Sequence, residues 1–344
     1  MVQRVAYGAF VIAVLVLLFS ADALIADWAA GTDARLVAAM GPPPTGVLTD
    51  LLRHGSVVPL VFLCLIVAGA AELNRLLRAA GANPHSAFAL LATSVLFLSP
   101  WLSAGGVLGS SVEAREGLFW PLTILAASGL GAGVLQVLRL DPRGAIRDSS
   151  ATLLIVFYMG FLASFGLMLR SAVDGPDPAG PWLLLISILI IKCSDIGAYF
   201  VGSALGRHKL CPTISPAKSV EGMLGGLAGS ALASVFFVSL VGLASRLGAG
   251  ETTLAALGRI VGSFSLPATP GGIDPLVRAA VFGITVSVSA QFGDLLESCF
   301  KRDAGIKDSG RFIPQYGGIL DLLDSPVFAL PVAWCLLTAF WPRA

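Results

Sequence analysis

Near the end of the chain, residue types and spacing suggest metal and phosphate chemistry. Asp294, Ser298 and Lys301 are spaced i, i+4 and i+7, which places them on one face if the segment is helical. Asp321 and Asp324 follow at i and i+3, after Gly317-Gly318 and before Pro326. Two carboxylates this close repel unless a cation sits between them. Magnesium takes carboxylates, a hydroxyl or water, and substrate phosphate oxygens. Asp294, Ser298, Asp321 and Asp324 therefore form a candidate magnesium–phosphate site. Lys301, Arg302, Lys307 and Arg311 supply positive charge suited to a polyphosphate. Gly317 and Gly318 permit close backbone approach or unusual dihedrals. A simpler reading is a helix-end ion pair, Glu297 with Lys301 at i, i+4, with Asp294 reaching for water. Carboxylates and cations together between two apolar segments favour the phosphate reading.

A second set interrupts an apolar run further upstream. Lys192, Ser194, Asp195 and Tyr199 lie in what otherwise reads as a membrane span, with Asp195 and Tyr199 at i, i+4. An ionisable residue inside a span is a functional candidate by default. The plain alternative is a Lys192–Asp195 pair at i, i+3 that neutralises itself. The loop that follows carries Arg207, Lys209 and Lys218, which could meet phosphates or form an ordinary basic loop. Ser219-Val220-Glu221 does not form a capping box, because the acid falls at +2 rather than +3.

The elements that must position these residues are membrane helices. The chain has 344 residues, 56% of them hydrophobic and 12% charged. A soluble domain carries about 25% charged residues. Half that share, with repeated apolar runs near 20 residues, means an all-α polytopic membrane protein. Nine spans are expected, at 5–25, 56–73, 87–105, 118–138, 151–170, 181–201, 220–243, 276–297 and 326–342. Arg4 and the apolar run after it, with Ala21-Asp22-Ala23 as a small-residue site, also fit a signal peptide. A retained first helix is preferred, because it makes the charge topology consistent. With the N-terminus cytoplasmic and the C-terminus external, 13 basic residues fall on the inner side and eight on the outer. Loops 202–219 and 298–325 are then cytoplasmic, where nucleotides are available. The expected division is an N-terminal set of spans over 1–175 and a C-terminal catalytic membrane region over 176–344. External loops 27–55 and 244–275 read as connections with short interfacial pieces.

A net charge of +1 gives no sign of a nucleic-acid partner. The five cysteines form no CxxC pair, so neither a zinc site nor a disulfide framework is indicated. No internal repeat is evident, which argues against a transporter built from inverted repeats. Gly- and Ala-rich stretches such as 220–234 permit close helix packing, within the chain or in a homodimer.

The segment 294–325 resembles the signature of the phosphatidate cytidylyltransferase (CDP-diacylglycerol synthase) family. Ser298, Lys301-Arg302, Lys307-Asp308, Pro314, Gly317-Gly318, Asp321 and Asp324 match it at the right spacing. Asp195, Gly197, Ala198, Tyr199, Phe200 and Gly202 match a second element, and Ser215, Pro216, Lys218, Glu221 and Gly222 a third. The resemblance covers roughly 190–330. Earlier it rests on hydropathy, with Glu72 in the second span. The chain departs from the pattern with Tyr316 for His, Leu322 for Arg, Ser194 for Asn, Ala217 for Lys and Ser219 for Thr.

The resemblance implies that CTP and phosphatidate give CDP-diacylglycerol and pyrophosphate at the cytoplasmic side of a bacterial inner membrane. It implies catalytic roles for Asp294, Lys301, Asp321 and Asp324, with magnesium on Asp294, Ser298, Asp321 and Asp324. Substrate binding is expected from Asp195, Lys218, Ser298, Arg302, Lys307, Gly317 and Gly318. Another lipid phosphate as acceptor, or a weakly active or inactive relative, is the alternative that Tyr316 and Leu322 keep open.

Overall fold

The computed structural model describes residues 2–31, 34–41, 46–108, 117–171, 179–246, 274–307, 309–310 and 317–340. Among them, nine helices are long and apolar enough to cross a membrane, and each overlaps one expected span. The protein is an all-α membrane protein with one two-stranded hairpin among the described residues. It divides into two compact units, Met1–Pro176 with Phe300–Leu323, and Asp177–Cys299 with Asp324–Ala344.

The first unit begins with α1 (Val2–Ala30), the short helices α2 (Ala34–Met40) and α3 (Val47–Arg53), and α4 (Val57–Ala79). It continues with α5 (Ser86–Ala104), α6 (Phe119–Leu138) and α7 (Ala145–Ile155). A π-helical segment, Val156–Leu162, then leads into α8 (Ala163–Ser171). Helix α4 buries Ile66, Gly69, Glu72, Leu73 and Leu76, spaced three and four apart, so one face meets the core. Leu96 and Phe97 of α5, Ile155 at the end of α7, and Val156 and Met159 of the π-helical stretch are buried as well. Helix α1 runs unbroken through Ala21, Asp22 and Ala23, further than the expected end at 25.

Asp22 explains why α1 is tied to its neighbours. It is fully buried and accepts hydrogen bonds from the Val57 and Val58 amides at 2.8 and 3.2 Å. Those amides open α4 and lack partners inside their own helix. Arg170 completes the site with a 2.6 Å ion pair to Asp22. Removing one partner of a buried pair strands the other, at about 3–5 kcal/mol. The Arg170→Met variant is therefore expected to unfold at a markedly lower temperature in detergent, and an unchanged melting temperature would argue against this clamp. Asp148 plays a similar part near the start of α7. It receives the Asn83 amide at 2.8 Å and faces Arg139 and Arg147, each at 3.3 Å.

The second unit holds α9 (Ala179–Leu205), β1 (Lys209–Cys211), β2 (Ser215–Ser219) and α10 (Val220–Arg246). It also takes most of α11 (Pro275–Asp303) and α12 (Leu320–Phe340), whose remaining turns belong to the first unit. Helices α9 and α10 meet through glycines. A Cβ on Gly197 would lie 2.5 Å from the Gly225 carbonyl oxygen, and one on Gly202 3.3 Å from the Gly222 Cα. Small residues at such a crossing let two membrane helices approach backbone to backbone. Hydroxyls add to the packing. Ser194 and Ser287 are 2.6 Å apart, and Ser230 donates to the Gly283 carbonyl at 2.8 Å.

Three expected boundaries are corrected. Loop 202–219 is largely structured: α9 continues to Leu205 and a hairpin follows. Loop 298–325 is shorter, because α11 runs to Asp303 and α12 starts at Leu320, not at Pro326. The apolar Ile319, Leu320, Leu322 and Leu323 begin the last helix, and a membrane helix tolerates Pro326 within it. Ser219 also caps α10, accepting the Gly222 amide at 3.1 Å. Glu221, two residues after it, instead receives the Arg207 amide at 3.0 Å and the His208 ring nitrogen at 2.6 Å.

Candidate active site

In the second unit, secondary structure brings distant charges together. Antiparallel pairing of β1 with β2 places Lys209 opposite Ser219 and Cys211 opposite Ser215. Along β2, Pro216 and Ala217 are exposed while Lys218 is half-buried. The Lys218 ammonium lies 2.6 Å from the Asp294 carboxylate on α11. On α9, Lys192 pairs with Asp195 at 3.1 Å, the self-neutralising pair that their spacing suggested. Asp324 is buried on α12, where Asp294, Lys192, Asp195 and Glu297 all act on it electrostatically. Gly293 makes this proximity feasible: a Cβ there would run into the Asp324 carbonyl oxygen and sit 2.7 Å from the Phe328 Cβ. Glu297 and Ser298 are buried one turn further along α11.

In the first unit, Lys301 bonds Asp321 at 2.6 Å, and both side chains are mostly buried. Asp321 also accepts the Gly318 amide at 2.7 Å and lies 2.8 Å from the Ser309 hydroxyl. The carboxylate is therefore held on three sides. Glu72, buried on α4, lies 3.1 Å from the same Ser309 hydroxyl and accepts the Leu320 amide at 2.8 Å. Gly317 has φ +99°, the left-handed region that favours glycine. Gly318 has a steric reason, since a Cβ there would overlap the Ser309 and Glu72 oxygens. Arg302 and Lys307 are exposed, and Arg302 reaches the Ile306 carbonyl at 3.5 Å. Asp308, Arg311, Pro314 and Tyr316 lie outside the described residues.

The candidate residues thus gather in two groups. Asp195, Lys218, Asp294, Ser298 and Asp324 belong to the second unit, and Lys301, Arg302, Lys307, Gly317, Gly318 and Asp321 to the first. Sequence reasoning missed Ser309, whose single hydroxyl among many carried no signal. It noted Glu72 only through resemblance, although an acid in an apolar run was itself a signal. Among the described residues, no group of three or more His, Cys, Asp or Glu is arranged to hold a metal on protein donors alone. The donor chemistry still fits magnesium, which usually takes one or two carboxylates and completes its shell with water and substrate phosphates. Asp294 and Asp195 each already sit beside a cationic group.

Comparison with known proteins shows the family of the chain. A sequence model of the cytidylyltransferase family matches residues 33–340. A phosphatidate cytidylyltransferase of Synechocystis sp. is 35% identical over 301 residues, covering 81% of this chain and 87% of the relative. One from Haemophilus influenzae is 32% identical over 240 residues, covering 69% and 75%. One from Bacillus subtilis is 33% identical over 187 residues, covering 54% and 57%. Across nearly its whole length, this chain belongs to the cytidylyltransferase family.

Proposed function

We propose that the protein transfers the cytidylyl group of CTP to phosphatidate, giving CDP-diacylglycerol and pyrophosphate, with its active site at the cytoplasmic face of a bacterial inner membrane. The observation that carries this reading is a set of three lysine–aspartate pairs: Lys218–Asp294 between β2 and α11, Lys192–Asp195 within α9, and Lys301–Asp321 between the end of α11 and the start of α12. Each keeps a phosphate-binding cation and a potential metal-binding carboxylate together in the resting protein. When a triphosphate binds, the ammoniums can turn to its oxygens and leave the carboxylates to a cation.

The phosphatidate phosphate attacks the α-phosphorus of CTP, and pyrophosphate leaves in line. Such a reaction rests on positioning and charge neutralisation. The nucleophile is already ionised at neutral pH, so the chain needs no strong general base. This makes Tyr316, in place of the family's His, compatible with activity. Lys218 and Lys301 neutralise the triphosphate, and the exposed Arg302 and Lys307 meet the departing pyrophosphate. Asp294, Ser298, Asp321 and Asp324 are the residues that would hold magnesium, and the ion would supply charge neutralisation on the phosphates. The acceptor's tails stay in the bilayer while its phosphate reaches the charged residues.

Pyrophosphate release from CTP, dependent on phosphatidate and magnesium, tests the reading. Leu322, in place of the family's Arg, removes one phosphate-binding cation and supports a second reading with a different lipid phosphate as acceptor. Competition between acceptors separates the two: preference for a polyprenyl phosphate over phosphatidate would favour the second.

A further inference from the structure

Glu72 lies in a membrane-spanning helix, where a buried carboxylate is retained only with partners or a purpose. Besides Arg75, its hydrogen-bond partners are Ser309, ahead of α12, and Leu320, the first residue of that helix. Its Oε2 accepts the Leu320 amide at 2.8 Å and lies 3.1 Å from the Ser309 Oγ. Leu320 is the first residue of α12, so its amide has no acceptor within that helix. The next amides find one locally, since Leu322 and Leu323 both donate to the Ile319 carbonyl, at 3.1 and 3.2 Å. Glu72 therefore caps α12 from another helix, and its charge also suits the positive end of the helix dipole.

The backbone is shaped around this carboxylate. A Cβ on Gly310 would overlap Glu72 Oε1, and one on Gly318 would overlap Glu72 Oε2 and the Ser309 Oγ. Gly318 in turn donates its amide to Asp321, 2.7 Å away. Ser309 stands between the two acids, 3.1 Å from Glu72 and 2.8 Å from Asp321, and its single proton can serve only one at a time. Arg75 offsets part of the charge, 3.6 Å from Oε1. One turn earlier on α4, Gly69 leaves room for Leu323, and Tyr158 packs edge-on against Phe300, next to Lys301.

We propose that Glu72 is a positioning residue for cytidylyl transfer. By binding the Leu320 amide and Ser309 between Gly310 and Gly318, it fixes the first turn of α12 and so the orientation of the Asp321–Lys301 pair. The proposal rests on the catalytic reading of Asp321 given above. It adds a residue from a helix that carries none of the charged signature.

The test uses full-length protein in detergent or lipid nanodiscs, with Glu72→Ala, Glu72→Gln and Gly318→Ala variants. Two readouts are needed: steady-state kinetics with CTP and phosphatidate, and hydrogen exchange of the peptide spanning 317–323. A misplacement near 1 Å reduces rate by about 10²-fold, so Glu72→Ala should lose about that much kcat while KM for CTP moves little. Exchange should speed up in 317–323 and stay unchanged in α9 and α10. Gln keeps an acceptor oxygen for Leu320, so Glu72→Gln should retain most of the rate. Gly318→Ala should reproduce the Ala defect, and the double variant Glu72→Ala/Gly318→Ala should be no worse than either alone. Uniformly faster exchange across the protein would reduce Glu72 to a general stability residue and overturn the proposal. So would normal kcat in Glu72→Ala, or a Gln variant as poor as Ala. If the wild-type chain transfers no cytidylyl group while exchange responds locally, the positioning of Asp321 stands and the catalytic reading fails.

Discussion

Asp294→Asn is expected to lower phosphatidate-dependent pyrophosphate release by about 10²–10³-fold, the range for removing one charge-stabilising group from a preorganised site. The substitution keeps the side chain's size and one acceptor oxygen but removes the charge that faces Lys218 at 2.6 Å. The two side chains are 24% and 37% exposed, but the Lys218 ammonium atom itself is buried, so thermal stability is read on the same preparation as activity. A large loss of activity with an unchanged melting temperature therefore points to chemistry rather than folding. If Asp294 acts on the reacting phosphates, kcat and kcat/KM should fall together. A rise in KM alone would assign Asp294 to uniform substrate binding and not to catalysis.

Lys301 and Asp321 should behave differently, because their side chains are only 12% and 13% exposed. Breaking a buried pair by removing one partner costs about 3–5 kcal/mol. Lys301→Met and Asp321→Leu should each be both unstable and inactive, which by itself says little about mechanism. The informative variant carries both changes. Replacing a buried ion pair with apolar residues of similar size is often neutral or stabilising. The double variant should regain part of the thermal stability lost in the single variants, the remaining deficit coming from the Gly318 amide and Ser309 hydroxyl that lose Asp321, and regain no cytidylyl transfer. Recovery of activity along with stability would show that the pair is a structural strut. Stability is read by thermal unfolding in detergent and activity by pyrophosphate release on the same preparations.

How far the sequence reaches differs from residue to residue. The spans were legible because bilayer thickness imposes a length and apolarity that few other structures need. The Lys192–Asp195 pair was legible because i, i+3 neighbours on a helix must meet. The shared face of Asp294 and Ser298 followed from the same period. The Lys218–Asp294 contact was not legible: it depends on the register of a three-by-five-residue hairpin that hydropathy does not mark. The acid at +2 excluded a capping box at Ser219, and the hydroxyl caps the helix without one. The start of α12 was placed too late because Pro326 resembles a helix entry, whereas Glu72 supplies the missing acceptor at Leu320. That interaction joins residues far apart in the chain, and only the folded protein brings them together. Gly197 and Gly202, matched as part of a motif, have a plain physical use in the α9–α10 contact.

The central claim is that this membrane protein moves a cytidylyl group from CTP to a lipid phosphate. The most direct measurement incubates the purified protein in phosphatidate-containing vesicles with magnesium and α-labelled CTP, then follows label in the lipid phase alongside pyrophosphate in water. The predicted result is labelled CDP-diacylglycerol formed one-for-one with pyrophosphate, dependent on phosphatidate and abolished in Asp321→Asn and Asp324→Asn. No labelled lipid, while an established phosphatidate cytidylyltransferase labels the same vesicles, would contradict it.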